Sequence, residues 1–133
     1  MGKMIKKMRY EELYAVAKEA LENAYAPYSN YKVGAAVLTQ NGEVFTGVNI
    51  ENASYGATIC AERVAVSKAV SDGKLCIVAI AIALENDEIA SPCGICRQFI
   101  FEFGDDVDII VGKDEGHLIV RPIKDLLPEG FRL

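Results

Sequence analysis

The sequence predicts an α/β fold: a five-stranded mixed sheet covered by helices as a three-layer α/β/α sandwich, with its last two strands antiparallel. Three observations predict it. Two β-rich apolar runs flank Asn41-Gly42, the dipeptide that most strongly signals a short hairpin. The run LCIVAIAIAL from Leu75 to Leu84 is apolar without alternation, as in a central strand covered on both faces. A helical segment separates that strand from the next, which implies a right-handed parallel crossover.

The elements follow in order. From Tyr10 to Tyr25, Leu13, Val16, Ala17, Ala20, Leu21 and Ala24 recur at helical spacing, and Pro27 closes the segment. VGAAVLT and EVFTGVNI form the hairpin strands around Asn41-Gly42. Thr58 to Val70 is helical again, with Asp72-Gly73 as its stop. Ser91-Pro92 opens a short helix that runs to Phe103, Pro suiting a first turn and Gly104 an end. Val107–Val111 and Leu118–Val120 are short strands joined by a turn through Lys113–Gly116, and a last helix, Ile123–Leu127, stops at Pro128. The order is α-β-β-α-β-α-β-β-α. No repeat, low-complexity tract or boundary interrupts it, so residues 1–133 read as a single domain.

Composition narrows the function classes. Of 133 residues, 51% are hydrophobic and 25% charged, which supplies one core. The net charge of −5 argues against a polyanion partner, since gripping DNA or RNA takes a basic stripe. The acidic cluster Glu102, Asp105, Asp106 and Asp108 reads as a solvated helix end and turn. No apolar run approaches the ~20 residues of a membrane span. The basic start MGKMIKKMRY has no apolar core region or small-residue cleavage site, so it reads as a frayed start with alternative initiation, not a secretory signal. The expected location is the cytoplasm. There, four cysteines are not a disulfide framework. Cys76, inside the apolar run, reads as a small buried hydrophobe.

The other three cysteines carry chemistry. Cys93 and Cys96 form a Cys-x-x-Cys at a predicted helix N-terminus, and Cys60 lies near the start of another helix. Helix N-termini carry partial positive charge and unpaired N–H groups, both of which favour thiolate. Three thiolates converging there make a soft site that suits zinc. The fourth position then decides the function: a protein ligand makes the site structural, whereas water there becomes a nucleophile at neutral pH. Glu62, two residues after Cys60, can project beside that water and move protons. His117 is the candidate fourth ligand, but it follows a hairpin turn with no ligand spacing and reads as exposed. A thioredoxin-like pair at Cys93 and Cys96 explains neither Cys60 nor Glu62. Arg63 can offset the charge of three thiolates by bonding to the sulfurs, or it is a surface helix residue.

Cys60-Ala61-Glu62 with Pro92-Cys93-Gly94-Ile95-Cys96 resembles the signature of zinc nucleoside and nucleobase deaminases, a class in which a non-ligand Glu works beside a Cys₃ metal site. Three more segments, Tyr28–Ala36, Gly47–Tyr55 and Leu126–Phe131, make nearly the whole chain similar to the small homotetrameric cytidine deaminases. The resemblance implies one Zn²⁺ per subunit and hydrolytic loss of ammonia from C4 of cytosine, with Glu62 serving N3 and the amino group. It implies that Asn49 and Glu51 bind the ribose 3′-hydroxyl and that the Ala61 main chain reads the base edge. Tyr31 stacks on the base where the family usually carries Phe. Tyr55 and Phe131 help complete a neighbouring subunit's pocket, although Phe131 is followed only by Arg132 and Leu133.

Three alternatives stand beside this one. A blasticidin-S-type deaminase shares the metal motif, but Asn49, Glu51 and the ENASY run favour an intact ribose. A polynucleotide deaminase is opposed by the acidic charge and by the final hairpin. A zinc-stabilised interaction module without catalysis would keep the cysteines and have no use for Glu62.

Overall fold

A computed structural model describes residues 8–133; most of the basic start, and with it the reading of that start, lies outside the described residues. Nine elements follow in the expected order: α1 (Tyr10–Ala20), β1 (Val33–Thr39), β2 (Val44–Val48), α2 (Ala61–Ser71), β3 (Ile77–Leu84), α3 (Gly94–Phe101), β4 (Asp108–Gly112), β5 (Leu118–Pro122) and α4 (Ile123–Leu126). They build one five-stranded sheet in the order β2-β1-β3-β4-β5. Both hairpins, β1–β2 and β4–β5, are antiparallel, as is β1–β3. The crossover through α3 makes β3–β4 parallel, as the intervening helix requires.

The strand alternation sorts the core into two layers. Ala36, Leu38, Ala79, Ala81, Ala83 and Ile110 face α1, which buries Leu13, Tyr14, Ala17 and, just past its end, Leu21. The opposite face offers Ala35, Val37, Ile80, Ile82, Ile109 and Val111 to α2, α3 and the Ile123 side chain of α4. β3 is therefore covered on both faces. Small residues along β1 and β3 let the helices lie close, and Gly47 on β2 is the tightest case on the α2 side. A Cβ there would lie 3.0 Å from Ala65 Cα, and closer still to Ala61 O and Ala65 N.

Several element ends differ from the sequence expectation, chiefly where a local pairing outcompetes periodicity. The first α-helix ends at Ala20 and tightens into a 3₁₀ turn over Leu21–Asn23 instead of running to Tyr25. Tyr25 is drawn out to pair with the next segment: its N–H bonds Asn49 O at 3.0 Å, and its carbonyl accepts from Glu51 N at 2.9 Å. α2 begins at Ala61, not Thr58, because Ile59 and Ile50 exchange two backbone bonds of 2.9 and 3.0 Å and stay extended. α3 begins at Gly94 and ends at Phe101, leaving Ser91 and Pro92 in an extended lead-in held by Arg97. β3 starts at Ile77, so Cys76 lies just outside the strand and is exposed rather than buried. Its carbonyl accepts from Gln40 N at 3.0 Å while its thiol lies outside the core.

The acidic cluster is only partly a solvated turn. Glu102, Asp105 and Asp106 are exposed, but Asp108 is half-buried at the start of β4 and accepts the Tyr10 phenol at 2.6 Å. That bond ties α1 to β4. Burial and the Asp108 carboxylate push the Tyr10 pKa up to about 12.

Candidate metal centre and its cavity

The late starts of α2 and α3 are what assemble the site. Cys60 is the N-cap of α2 and Cys93 the N-cap of α3, both with extended backbone (ψ 154° and 168°). Cys96, in the first turn of α3, is fully buried, and its N–H donates to Cys93 Sγ at 3.4 Å. The three Sγ atoms lie within 4.8 Å of one another, with Cys60 and Cys93 sulfurs 3.8 Å apart. That spacing is far too long for a disulfide. It equals the ~3.8 Å edge of a tetrahedron with Zn–S distances near 2.3 Å. The donor chemistry and the spacing both fit zinc.

His117 takes no part in this cluster. It is exposed, and its Nδ1 lies 2.8 Å from Asp114 Oδ1 within the last hairpin.

The electrostatics of the three thiols follow from their crowding at two helix starts. A hydrogen bond with Cys96 does most to pull the Cys60 thiol down to about 5, with further help from Arg63, against the opposing cost of burial. The same bond, followed by burial and by the Glu62 charge, pushes Cys96 up. Arg63 sits beside both sulfurs, with Nη2 donating to Thr58 O at 3.4 Å. Its buried Nε finds no hydrogen-bond partner among the described residues, so the sulfurs are left as its charge partners.

Glu62 is 5% exposed and occupies the second position of α2. Burial pushes its carboxyl up to about 7; the Cys60 charge adds to the rise, while its own backbone N–H, the Cys96 thiol and Arg63 oppose it. A buried carboxyl poised near neutrality is the form a proton shuttle needs.

Glu62, Cys60 and Cys93 line a cavity of about 410 Å³ together with Tyr31, Asn49 and Ala61. This volume is within the ~300–1,000 Å³ common for small-molecule sites. Ile89, Ala90 and Ser91, which carry no functional signal in the sequence, form another wall. They follow the carboxyl end of β3, beside the parallel β3–β4 pair, where ligands gather in open α/β sheets. That rule was the available signal. Arg97 was also missed: it bonds Pro92 O at 2.8 Å, Leu126 O at 2.9 Å and Ser91 Oγ at 3.0 Å, fixing the segment that leads into Cys93.

The remaining expected residues divide. The Asn49 amide holds the start of β1, accepting from Val33 N at 3.0 Å and donating to Tyr31 O at 2.9 Å. One N–H and one lone pair of that amide remain for a ligand. Glu51 lies next to the cavity, in a shallow depression with Tyr28, Ser29 and Tyr55. Its carboxylate accepts the Tyr28 and Ser29 N–H groups at 2.9 and 3.1 Å and the Ser29 hydroxyl, and these bonds, the hydroxyl's first, hold its pKa down. Tyr55 and Phe131 are 85% and 66% exposed, and neither lines the cavity of its own chain.

A buried carboxyl beside three cysteine sulfurs spaced to hold zinc, at the mouth of a parallel strand pair, is the arrangement suited to a zinc-dependent hydrolytic deaminase. The family model for the cytidine and deoxycytidylate deaminase zinc-binding region matches residues 7–113. A probable cytidine deaminase of Dictyostelium discoideum is 48% identical over 122 residues, covering 91% of this chain and 82% of that protein. The cytidine deaminase of Halalkalibacterium halodurans is 43% identical over 125 residues, or 93% and 95% of the two chains. The crystal structure of the cytidine deaminase from Burkholderia pseudomallei superposes with a TM-score of 0.87 at 44% identity, covering 93% of this chain and all of that one. The chain belongs to the cytidine and deoxycytidylate deaminase family.

Proposed function

We propose that this protein hydrolyses cytidine and 2′-deoxycytidine to uridine and 2′-deoxyuridine, releasing ammonia, as a step of pyrimidine salvage in the cytoplasm. The single observation that carries this is the buried Glu62 carboxyl, poised near 7, beside the Cys60–Cys93–Cys96 cluster in a nucleoside-sized cavity. One zinc held by the three cysteines would supply hydroxide at neutral pH for attack at C4.

The other roles belong to the chain. Glu62 takes one proton of the attacking water and delivers it to N3, then takes the second from the new hydroxyl at C4 and passes it to the amino group, so that the C4–N bond breaks, ammonia leaves and the C4 carbonyl forms. The Ala61 main chain, fixed between Cys60 and Glu62 at the start of α2, meets the polar edge of the base. Tyr31 stacks on the ring, and its phenol, 3.5 Å from Asn86 Oδ1, reaches toward the β3–α3 loop. Asn49 uses its remaining amide valences on the 3′-hydroxyl. Glu51 shares that task from the adjoining depression, where the Tyr28–Ser29 bonds keep it ionised. Arg63 neutralises part of the thiolate charge, which would otherwise weaken the metal's pull on water.

The active form is a homotetramer in which Tyr55 and Phe131 cover a neighbouring copy's cavity. Their exposure and their absence from their own cavity support this, as do the exposed side chains of Tyr25, Tyr28 and Ile50. Residues 1–133 act as one domain within that assembly.

The test follows ultraviolet absorbance on adding cytidine, deoxycytidine or blasticidin S, with and without a chelator. Chelator-sensitive loss of the cytosine band with both nucleosides is expected. Turnover of blasticidin S alone would transfer the assignment to that substrate, and no turnover of any of them by zinc-loaded protein would refute the proposal.

A further inference from the structure

Phe131 and Arg132, which follow Gly130, are fastened to the metal-bearing helix. Arg132 Nε and Nη2 both donate to Phe101 O, at 3.0 and 2.5 Å, which satisfies a carbonyl exposed at the end of α3. Its guanidinium lies 4.2 Å from the centroid of the Phe101 ring and pairs with Asp105 at 2.5 Å. One helical turn earlier, Gln98 Nε2 donates to the carbonyl of Phe131 at 3.2 Å. Phe131 is thus held on both sides, by a bond to its own carbonyl and by the anchored side chain of the next residue. Its ring nevertheless stays 66% exposed.

A tail tied down by four distinct contacts, with an aromatic ring turned outward, has a rigid ring to present and no intramolecular use for it. We propose that Gln98 and Arg132 are positioning residues that splint the C-terminal tail along α3 so that Phe131 enters the substrate cavity of a second copy of this chain. This rests on the tetrameric reading above and extends it to the residues that aim the ring. Because α3 also carries Cys96, the splint fixes Phe131 relative to one metal centre while the ring serves another. A rigid aromatic wall costs little ordering entropy when substrate binds, so its loss should appear in KM more than in kcat.

A double-mutant cycle tests the positioning role. Phe131→Ala should raise KM for cytidine about tenfold with kcat nearly unchanged, as expected for removing one aromatic contact. Arg132→Ala and Gln98→Ala should each raise KM severalfold, and Arg132→Ala should add nothing in the Phe131→Ala background. Arg132→Ala that leaves KM unchanged, or that multiplies the Phe131→Ala effect, overturns the splint. Mixed oligomers of Glu62→Gln and Phe131→Ala subunits test the second copy: low-KM turnover should reappear, since the first kind lends its Phe131 to the intact site of the second. Mixtures that show only the Phe131→Ala kinetics overturn that part.

If zinc-loaded wild type turns over no cytidine, the functional proposal fails separately, and two measurements still judge this one. Amide hydrogen exchange at Phe131 and Arg132 should be faster in Arg132→Ala and Gln98→Ala than in wild type, and benzoylphenylalanine in place of Phe131 should photocross-link to a second copy. Equal exchange, or cross-links confined within one chain, would refute it.

Discussion

Replacing Gly47 with Ala should damage the active site from the far side of a helix. The mechanism is steric. The added Cβ would meet Ala65 Cα at 3.0 Å and come closer still to Ala61 O and Ala65 N, all on the first turns of α2. Interiors are close-packed, so α2 must retreat from β2 by roughly 1 Å to restore ordinary contact. Ala61 lies between Cys60 and Glu62, and the retreat carries both with it. Overpacking of this kind costs about 1–3 kcal/mol of stability. A misplacement of ~1 Å at reacting groups costs about 10²-fold in rate. Thermal unfolding, zinc content and kcat/KM for cytidine should therefore be measured together on the same preparation. The expectation is a lower Tm, a kcat/KM reduced about a hundredfold, and weakened zinc retention. A variant with wild-type Tm and wild-type kcat/KM would show that the α2–β2 contact does not set the position of Cys60 and Glu62.

Two further perturbations follow from the site. Glu62 has a folded-state pKa raised from 4.5 to about 7, so between those values the folded protein binds more protons than the unfolded chain. Its contribution to the stability of the metal-free protein should accordingly fall as pH rises from 4.5 to 7, by ~3 kcal/mol at most. Cys60, whose thiol is lowered from 9 to about 5, contributes the opposite slope above pH 5. Glu62→Gln should remove the falling part, so stability should rise more steeply with pH in the variant than in wild type; urea unfolding of chelated protein at pH 5 and pH 8 reads the difference, and an equal slope in both proteins would contradict the burial of Glu62. Arg97→Ala removes three bonds that fix the lead-in to Cys93, to Pro92 O, Leu126 O and Ser91 Oγ. Zinc affinity, measured by competition with a chromophoric chelator, should drop about 10–100-fold, as for other groups that orient metal ligands. Unchanged affinity would assign Arg97 to the packing of α4 alone.

The sheet was legible in the sequence because its signals are local. Asn41-Gly42 fixes one hairpin, Lys113–Gly116 marks the other, and the continuous apolar run at β3 announces a strand buried on both faces. What periodicity could not supply were the ends of elements decided by distant partners. Nothing between Thr58 and Cys60 says that Ile59 will pair with Ile50, yet that pairing delays α2 until Cys60 becomes its cap. Cys76 looked like core because the apolar run continues through it, but the turn after Gly73 leaves it outside. The metal ligands could be read because cysteine chemistry and spacing are specific. Ile89, Ala90 and Ser91 could not, because apolar and small wall residues have no chemical signature of their own. The Asn49 amide shows the same limit: only the structure reveals that half of its bonding capacity is spent on Val33 and Tyr31.

The central claim is that three thiolates hold the zinc while a carboxylate that is not a ligand moves the protons. Zinc-loaded Glu62→Gln tests it most directly, with elemental analysis and cytidine turnover measured on the same sample. The variant should hold one zinc per chain and give a wild-type circular dichroism spectrum, with kcat lower by ~10³-fold or more. Retained turnover, or zinc lost together with the activity, would contradict it.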